Sequence, residues 1–130
     1  MIRKKSIDFC IFHTLHTAAD NGNLDMCRLI IEKVDNKNPT GGKYGSTPLH
    51  SAATKGHFDV CKLIIDNVEV KNPALNHGFT PLHGAASNGH LDICELIIKN
   101  VEDKNPADIC GTTPLHWAVL HGHFDICRLV

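Results

Sequence analysis

The tetrapeptide Thr-Pro-Leu-His stands three times in this chain, beginning at Thr47, Thr80 and Thr113, so that each copy follows the last by 33 residues. A fixed period of this size is the mark of a solenoid, in which every unit leaves an apolar face that only its neighbour can bury. Such a chain has no single central core, and motifs that recur once per unit are expected to serve the stacking before any chemistry.

The repetition extends well beyond the tetrapeptide. The blocks run Thr47-Pro-Leu-His-Ser-Ala-Ala-Thr-Lys-Gly-His57, Thr80-Pro-Leu-His-Gly-Ala-Ala-Ser-Asn-Gly-His90 and Thr113-Pro-Leu-His-Trp-Ala-Val-Leu-His-Gly-His123. Each continues through an aromatic or Leu, an Asp, and an apolar-Cys pair ending at Cys61, Cys94 or Cys127. A degraded fourth copy, His13-Thr-Leu-His-Thr-Ala-Ala-Asp-Asn-Gly-Asn23 with Cys27, precedes them. Cys27 lies 34 residues before Cys61, which places one extra residue in the loop holding Gly41, Gly42 and Gly45.

Local physics assigns each motif residue a task. Thr47, Thr80 and Thr113 are N-caps, whose hydroxyls accept an orphan helix N–H. The proline after each occupies the first helical position, where its missing donor costs nothing. His50, His83 and His116 are expected to bond back to their threonine across the first turn. The alanine pairs let two antiparallel helices approach, and Gly56, Gly89 and Gly122 end the first helix in a left-handed residue. Asp59, Asp92 and Asp125 suit the positive end of the second helix. The pattern predicts helices at 48–55 and 58–66, 81–88 and 91–99, 114–121 and 124–130, with a weaker pair at 14–21 and 24–33. The loops between them carry Asn38-Pro39, Asn72-Pro73 and Asn105-Pro106, and a residue before proline is held extended.

With period 33 and Thr-Pro-Leu-His-x-Ala, the chain resembles the ankyrin-repeat family over residues 13–130. The resemblance implies an all-α solenoid of helix-turn-helix pairs with β-hairpin loops, in repeats at about 13–46, 47–79, 80–112 and 113–130, after a lead-in at 1–12. It also implies that Gly45, Gly78 and Gly111 turn the hairpins. Three places depart from the family pattern. Asn67 and Asn100 stand near where Gly-Ala usually follows the second helix, and are expected to cap it in the left-handed conformation. His13-Thr14 replaces Thr-Pro. The last repeat stops at Val130, inside its second helix.

Composition removes several function classes. Thirteen Lys and Arg against fourteen Asp and Glu give a net charge of −1, with no basic block beyond Arg3-Lys4-Lys5. Nucleic-acid binding through counterion release needs a positive patch, so none is expected. No apolar run reaches membrane-spanning length, and Met1–Phe12 does not form a signal peptide. The expected setting is intracellular, cytoplasmic or nuclear, with reduced cysteines.

Six Cys and ten His invite a metal or redox reading. Yet Cys27, Cys61, Cys94 and Cys127 hold one position in successive repeats, where a free thiol packs as a small hydrophobe. Cys110 falls in a hairpin and is the thiol expected to be exposed, while Cys10 lies outside the ladder. The histidines also recur once per repeat. His121-Gly-His123, near a cysteine, is the least unsuitable metal site, but zinc needs four converging ligands and no partner pair is visible. The group His50, Ser51 and Asp59 shares the residue types of a catalytic triad without its required geometry. We expect no catalytic residues, no metal and no cofactor.

Function must then lie on the surface. The resemblance implies a partner-binding concave face made from hairpin tips and first helices. Carried onto this chain, that face holds Ser46, Ser51, Thr54 and Lys55; Phe79, Gly84, Ser87 and Asn88; Thr112, Trp117, Leu120 and His121. Thr17, Asp20 and Asn21 add to it from the first repeat, and Ile109 from the last hairpin. Trp117 with Leu120 marks repeat four as the anchor, because aromatic residues dominate interface hot spots. Trp117 packing on the neighbouring hairpin, or on a further repeat, is the competing reading. The expected function is a non-catalytic protein-interaction module or scaffold; the alternative is a targeting arm of a larger multidomain protein. Repeat four ends without polar substitution, so fraying, self-association or a longer array is expected there.

Overall fold

The computed structural model describes residues 13–41 and 45–130. The lead-in 1–12, with Cys10, and Gly42 lie outside the described residues. The helices pair in sequence order. Repeat one has α1 over 13–20 and α2 at Leu24–Lys33; repeat two has α3 at Pro48–Lys55 and α4 at Phe58–Asn67. Repeat three has α5 at Pro81–Ser87 and α6 at Leu91–Asn100; repeat four has α7 at Pro114–Leu120 and α8 at Phe124–Leu129. The expected helices therefore form, within a residue or so at each end.

Two helical layers result. First helices pack side by side, α3 on α5 and α5 on α7, and second helices do likewise from α2 through α4 and α6 to α8. Between the layers runs a strip of small and branched apolar side chains. Ala52, Ala53, Ala85 and Ala86 are fully buried on the first helices, facing Ile64, Ile65, Ile97 and Ile93 from the second. Cys27, Cys61 and Cys94 are buried in the same strip and carry free thiols, while Cys127 is half-buried and Cys110 exposed. Burial pushes the Cys27 thiol up to about 11 and those of Cys61 and Cys94 up to about 12.

The capping reading is met and extended. Thr47 Oγ1 accepts the His50 N–H at 3.2 Å, and His50 Nδ1 accepts the Thr47 N–H at 3.3 Å. The same reciprocal box joins Thr80 to His83 and Thr113 to His116. Because Nδ1 is the acceptor, the ring proton sits on Nε2. There it leaves the repeat: His50 Nε2 donates to the Phe79 carbonyl at 3.0 Å, and His83 Nε2 to that of Thr112 at 2.9 Å. His16 of the degraded repeat reaches the Ser46 carbonyl at 3.0 Å in the same way.

A second histidine set reaches in the opposite direction. His57, His90 and His123 donate through Nε2 to the carbonyls of Asp20, Thr54 and Ser87 in the preceding repeat, at 2.9, 3.1 and 3.0 Å. Their rings fill the space beside the preceding helix-ending glycine. Gly56, at φ +85°, shows why no other residue serves: a Cβ there would stand 2.6 Å from His90 Cε1.

The expected left-handed asparagine caps do not form, since among the described residues only glycines have positive φ. Asn67 and Asn100 remain helical and donate through Nδ2 to Leu63 and Leu96 carbonyls. The helix ends are closed by lysines instead. Lys71 Nζ bonds the carbonyls of Ile65, at 2.7 Å, and Val68, while Lys37 and Lys104 do the same for their helices. A cation suits the negative helix end, which is why Lys serves there. The next residue, Asn38, Asn72 or Asn105, accepts the N–H of Leu49, Leu82 or Leu115 in the following helix. The first of these bonds spans 11 residues and the others 10, so the extra residue lies between Asn38 and Thr47.

Hairpin loops connect the repeats. Leu75 N–H donates to the Phe79 carbonyl at 2.7 Å and Asp108 N–H to that of Thr112 at 2.9 Å, with Gly78 and Gly111 in the turns. Gly41 and Ser46 form an isolated antiparallel bridge. Ile109 N–H donates to the His77 carbonyl at 3.0 Å, tying one hairpin to the next.

Candidate functional site

The surface expected to bind a partner divides into two chemically different halves. On repeats one and two the exposed groups are small, polar or charged. Thr17 and Asn21 are exposed, Ser46 and Ser51 half-buried, and Lys55 lies 3.8 Å from Asp20 across the repeat boundary. That ion pair is solvent-exposed, so it contributes little. Thr54 is half-buried, and beneath it Gly84 is fully enclosed; a Cβ at 84 would stand 2.3 Å from Thr54 Oγ1. Gly84 therefore belongs to the packing between α3 and α5 and not to the surface, a correction to its expected place.

Repeats three and four bring aromatic and aliphatic groups together. The Phe79 ring, from the second hairpin, stacks on His83 at 5.1 Å and meets the edge of Trp117 at 6.4 Å. Trp117, on α7, lies flat over His121 at 5.8 Å with planes 6° apart. Leu120 is 70% exposed and Ile109 76%. The indole Nε1 of Trp117 is buried without a hydrogen-bond partner among the described residues. Trp117 thus packs on Phe79 of the neighbouring hairpin and stays half-exposed. Ser87 is half-buried and Asn88 exposed, with Asn88 Nδ2 donating to the Gly84 carbonyl at 2.9 Å. Thr112 is held from both sides: its carbonyl takes His83, and its N–H donates to Asp108 Oδ1 at 3.0 Å.

Three neighbours of Phe79 escaped the sequence reading. Leu75, Asn76 and His77 line a cleft with it, and the His77 ring stacks at 6.2 Å from Phe79. They sit between Pro73 and Gly78 at positions where the next hairpin has Asp108, Ile109 and Cys110, so periodicity carries no signal for them. Asp108 was missed as well. The N–H groups of Thr112 and Cys110 bond its carboxylate and hold it below the usual carboxylate range.

The histidines that suggested catalysis are otherwise engaged. Both ring nitrogens of His50 are hydrogen-bonded, and burial lowers its pKa from 6.5 to about 4. His83 is lowered by the same cause. Asp59 is exposed on α4. Among the described residues no three His, Cys, Asp or Glu side chains converge as metal ligands, and His123 already uses Nε2 on Ser87.

A family model described as ankyrin repeats (3 copies) matches residues 12–74 and again 67–130. The chain belongs to the ankyrin-repeat family. No curated protein matches it. Ankyrin repeats are in general protein-interaction modules and are typically non-catalytic. None of the described helices of this ankyrin array is long and apolar enough to cross a membrane.

Proposed function

We propose that this ankyrin array is a non-catalytic scaffold that captures a partner protein on the face formed by its hairpins and first helices. The carrying observation is the edge-to-face contact of Phe79 and Trp117, flanked by exposed Leu120 and Ile109. Aromatic anchors in such a setting supply most of an interface's energy, while a rim like Ser51, Thr54, Lys55, Ser87, Asn88 and Thr112 mainly excludes water. An unpaired indole N–H beneath the surface fits a site that gains an acceptor when the side chain adjusts to a partner. No metal, cofactor, nucleic acid or membrane enters this reading. Free thiols at every described cysteine accord with a reduced cytoplasmic or nuclear setting.

Proximity labelling or a pull-down, repeated with Trp117→Ala and Phe79→Ala, tests the proposal. Each is expected to weaken capture by about 2 kcal/mol or more, whereas Ser51→Ala leaves it near the parent value. Helical circular dichroism should stay unchanged in all three. Loss of helicity at room temperature in both aromatic variants would make these residues core, and unchanged capture would move the site elsewhere.

A further inference from the structure

The aromatic half of the proposed face is almost free of charge. Between Leu75 and Asn88, and between Asp108 and His121, the sole Asp, Glu, Lys or Arg is Asp108. On repeats one and two the charges of Lys55 and Asp20 answer each other at 3.8 Å. Among the described residues no lysine or arginine lies within ion-pair reach of Asp108.

Asp108 is built into the aromatic cluster. A Cβ at Gly78 would stand 2.8 Å from Asp108 Cα, so the last hairpin lies directly on the turn of the one before it. The bond from Ile109 N–H to the His77 carbonyl, at 3.0 Å, holds that contact. Asp108 is half-buried, and its Oδ1 accepts the N–H groups of Cys110 and Thr112 at 2.8 and 3.0 Å. Its Oδ2 takes no hydrogen bond from the described residues. The carboxylate is close enough to act electrostatically on the rings of His77 and His83. These are the rings that stack with Phe79 at 6.2 and 5.1 Å. Beside them, Leu75, Asn76, His77 and Phe79 line a cleft of about 660 Å³, a volume within the range of ligand sites.

We propose that the partner segment captured here is basic and apolar together. Its leucine or aromatic side chain enters the cleft beside Phe79, and a lysine or arginine a few residues away pairs with Asp108 Oδ2. The inference rests on the reading of this face as the partner site. An acidic segment would be repelled by Asp108, and a neutral one would cover the carboxylate without a counter-charge, which costs desolvation. Complementary charge of this kind selects among partners more than it strengthens any one of them.

The test selects displayed random peptides on the 130-residue chain at low salt and titrates those recovered. Trp117 is the only tryptophan, so its emission reports occupancy of this face by peptides that lack Trp. Recovered peptides should join an apolar residue to a lysine or arginine, hold few acids and shift the Trp117 emission. Asp108→Asn keeps an oxygen for the Cys110 and Thr112 N–H groups, so the hairpin is retained. It should weaken a lysine-containing peptide about two- to fivefold and leave the norleucine analogue of that peptide unchanged. High salt should weaken the parent complex and spare the variant. Peptides that shift the emission yet are neutral or acidic, or that bind parent and Asp108→Asn equally, would overturn the basic partner while the face itself stands. Recovery of no peptide, or of peptides that leave the emission unmoved and survive Trp117→Ala, would overturn the face and this inference with it.

Discussion

His83 Nε2 lies 2.9 Å from the carbonyl oxygen of Thr112, which is 29 residues further along the chain. The same ring accepts the Thr80 N–H through Nδ1, so one side chain both caps its own helix and fastens the next hairpin. Since the Thr112 hairpin lies directly before α7 and Trp117, the cap of repeat three helps position the candidate anchor of repeat four. The histidine ladder is therefore mechanical, and its effects should appear as stability.

His83→Ala should cost about 2–3 kcal/mol in urea unfolding, because it leaves the buried Thr80 N–H without its acceptor and removes the bond to the Thr112 carbonyl, which keeps only the Asp108 N–H. His116→Ala removes only an exposed cap and should cost about 1 kcal/mol. Thr80→Val, which loses the hydroxyl but keeps the Thr112 bond, should also cost about 1 kcal/mol. Equal losses at His83 and His116 would mean that the inter-repeat bond contributes nothing. A His83 variant that kept its full stability and lost partner capture would contradict the mechanical role.

Acid should loosen the stack in a defined window. The His50 pKa falls from 6.5 in the unfolded chain to about 4 in the fold, because a charged ring is penalised by burial. Between those values the unfolded chain binds more protons, so stability rises with pH across the window. The contribution is fully present above about 6.5 and is lost progressively as the pH drops towards 4. For His50 alone it amounts to about 3 kcal/mol, with His83 acting in the same direction. Urea midpoints at pH 7.5, 5.5 and 4.5 should decline in that order, and His50→Gln should flatten the trend. A midpoint equal at pH 7.5 and 4.5 would refute it.

Lys71→Met should lower stability by about 1 kcal/mol by uncapping the carbonyls of Ile65 and Val68. Asn72→Ala should cost a similar amount through the Leu82 N–H. Because Lys71 and Asn72 are adjacent in one connecting segment, the double variant should depart from additivity by about 0.5 kcal/mol or more. Thermal melts of the four proteins decide this. Lys62→Met makes a suitable control, because its partner Asp66 is exposed and the pair adds little.

What the sequence made legible was whatever recurs with a side-chain identity and a local cause. The helices, the threonine–histidine boxes and the buried cysteines all meet that condition. The histidine staples between repeats do not, because each ends on a backbone carbonyl, and carbonyls of Ser46, Phe79 and Thr112 have no common residue type. Gly84 looked like surface because its position is surface in a single repeat; only the stacked neighbour's Thr54 covers it. The lysine caps were legible in principle. Lys37-Asn38-Pro39, Lys71-Asn72-Pro73 and Lys104-Asn105-Pro106 recur after α2, α4 and α6, but lysine there resembles ordinary solvated charge. For the proposed binding face the reverse holds: its candidate residues vary between repeats, so Phe79 and Trp117 were legible by type while Leu75, Asn76 and His77 were not.

The cysteines give a prediction that separates packing from redox chemistry. Burial pushes the Cys61 and Cys94 thiols up to about 12, so at pH 8 only about one molecule in ten thousand is thiolate there, and access is closed as well. In a Cys10→Ser background, a disulfide-exchange reagent should label exposed Cys110 first and half-buried Cys127 more slowly. Cys27, Cys61 and Cys94 should label only at the rate of unfolding, and all should become reactive together in urea. Cys94→Val should change stability by less than about 1.5 kcal/mol, since it is a near volume-conserving swap in an apolar strip. Rapid native labelling of Cys61 or Cys94, or a loss of several kcal/mol in Cys94→Val, would show that the ladder does more than fill space.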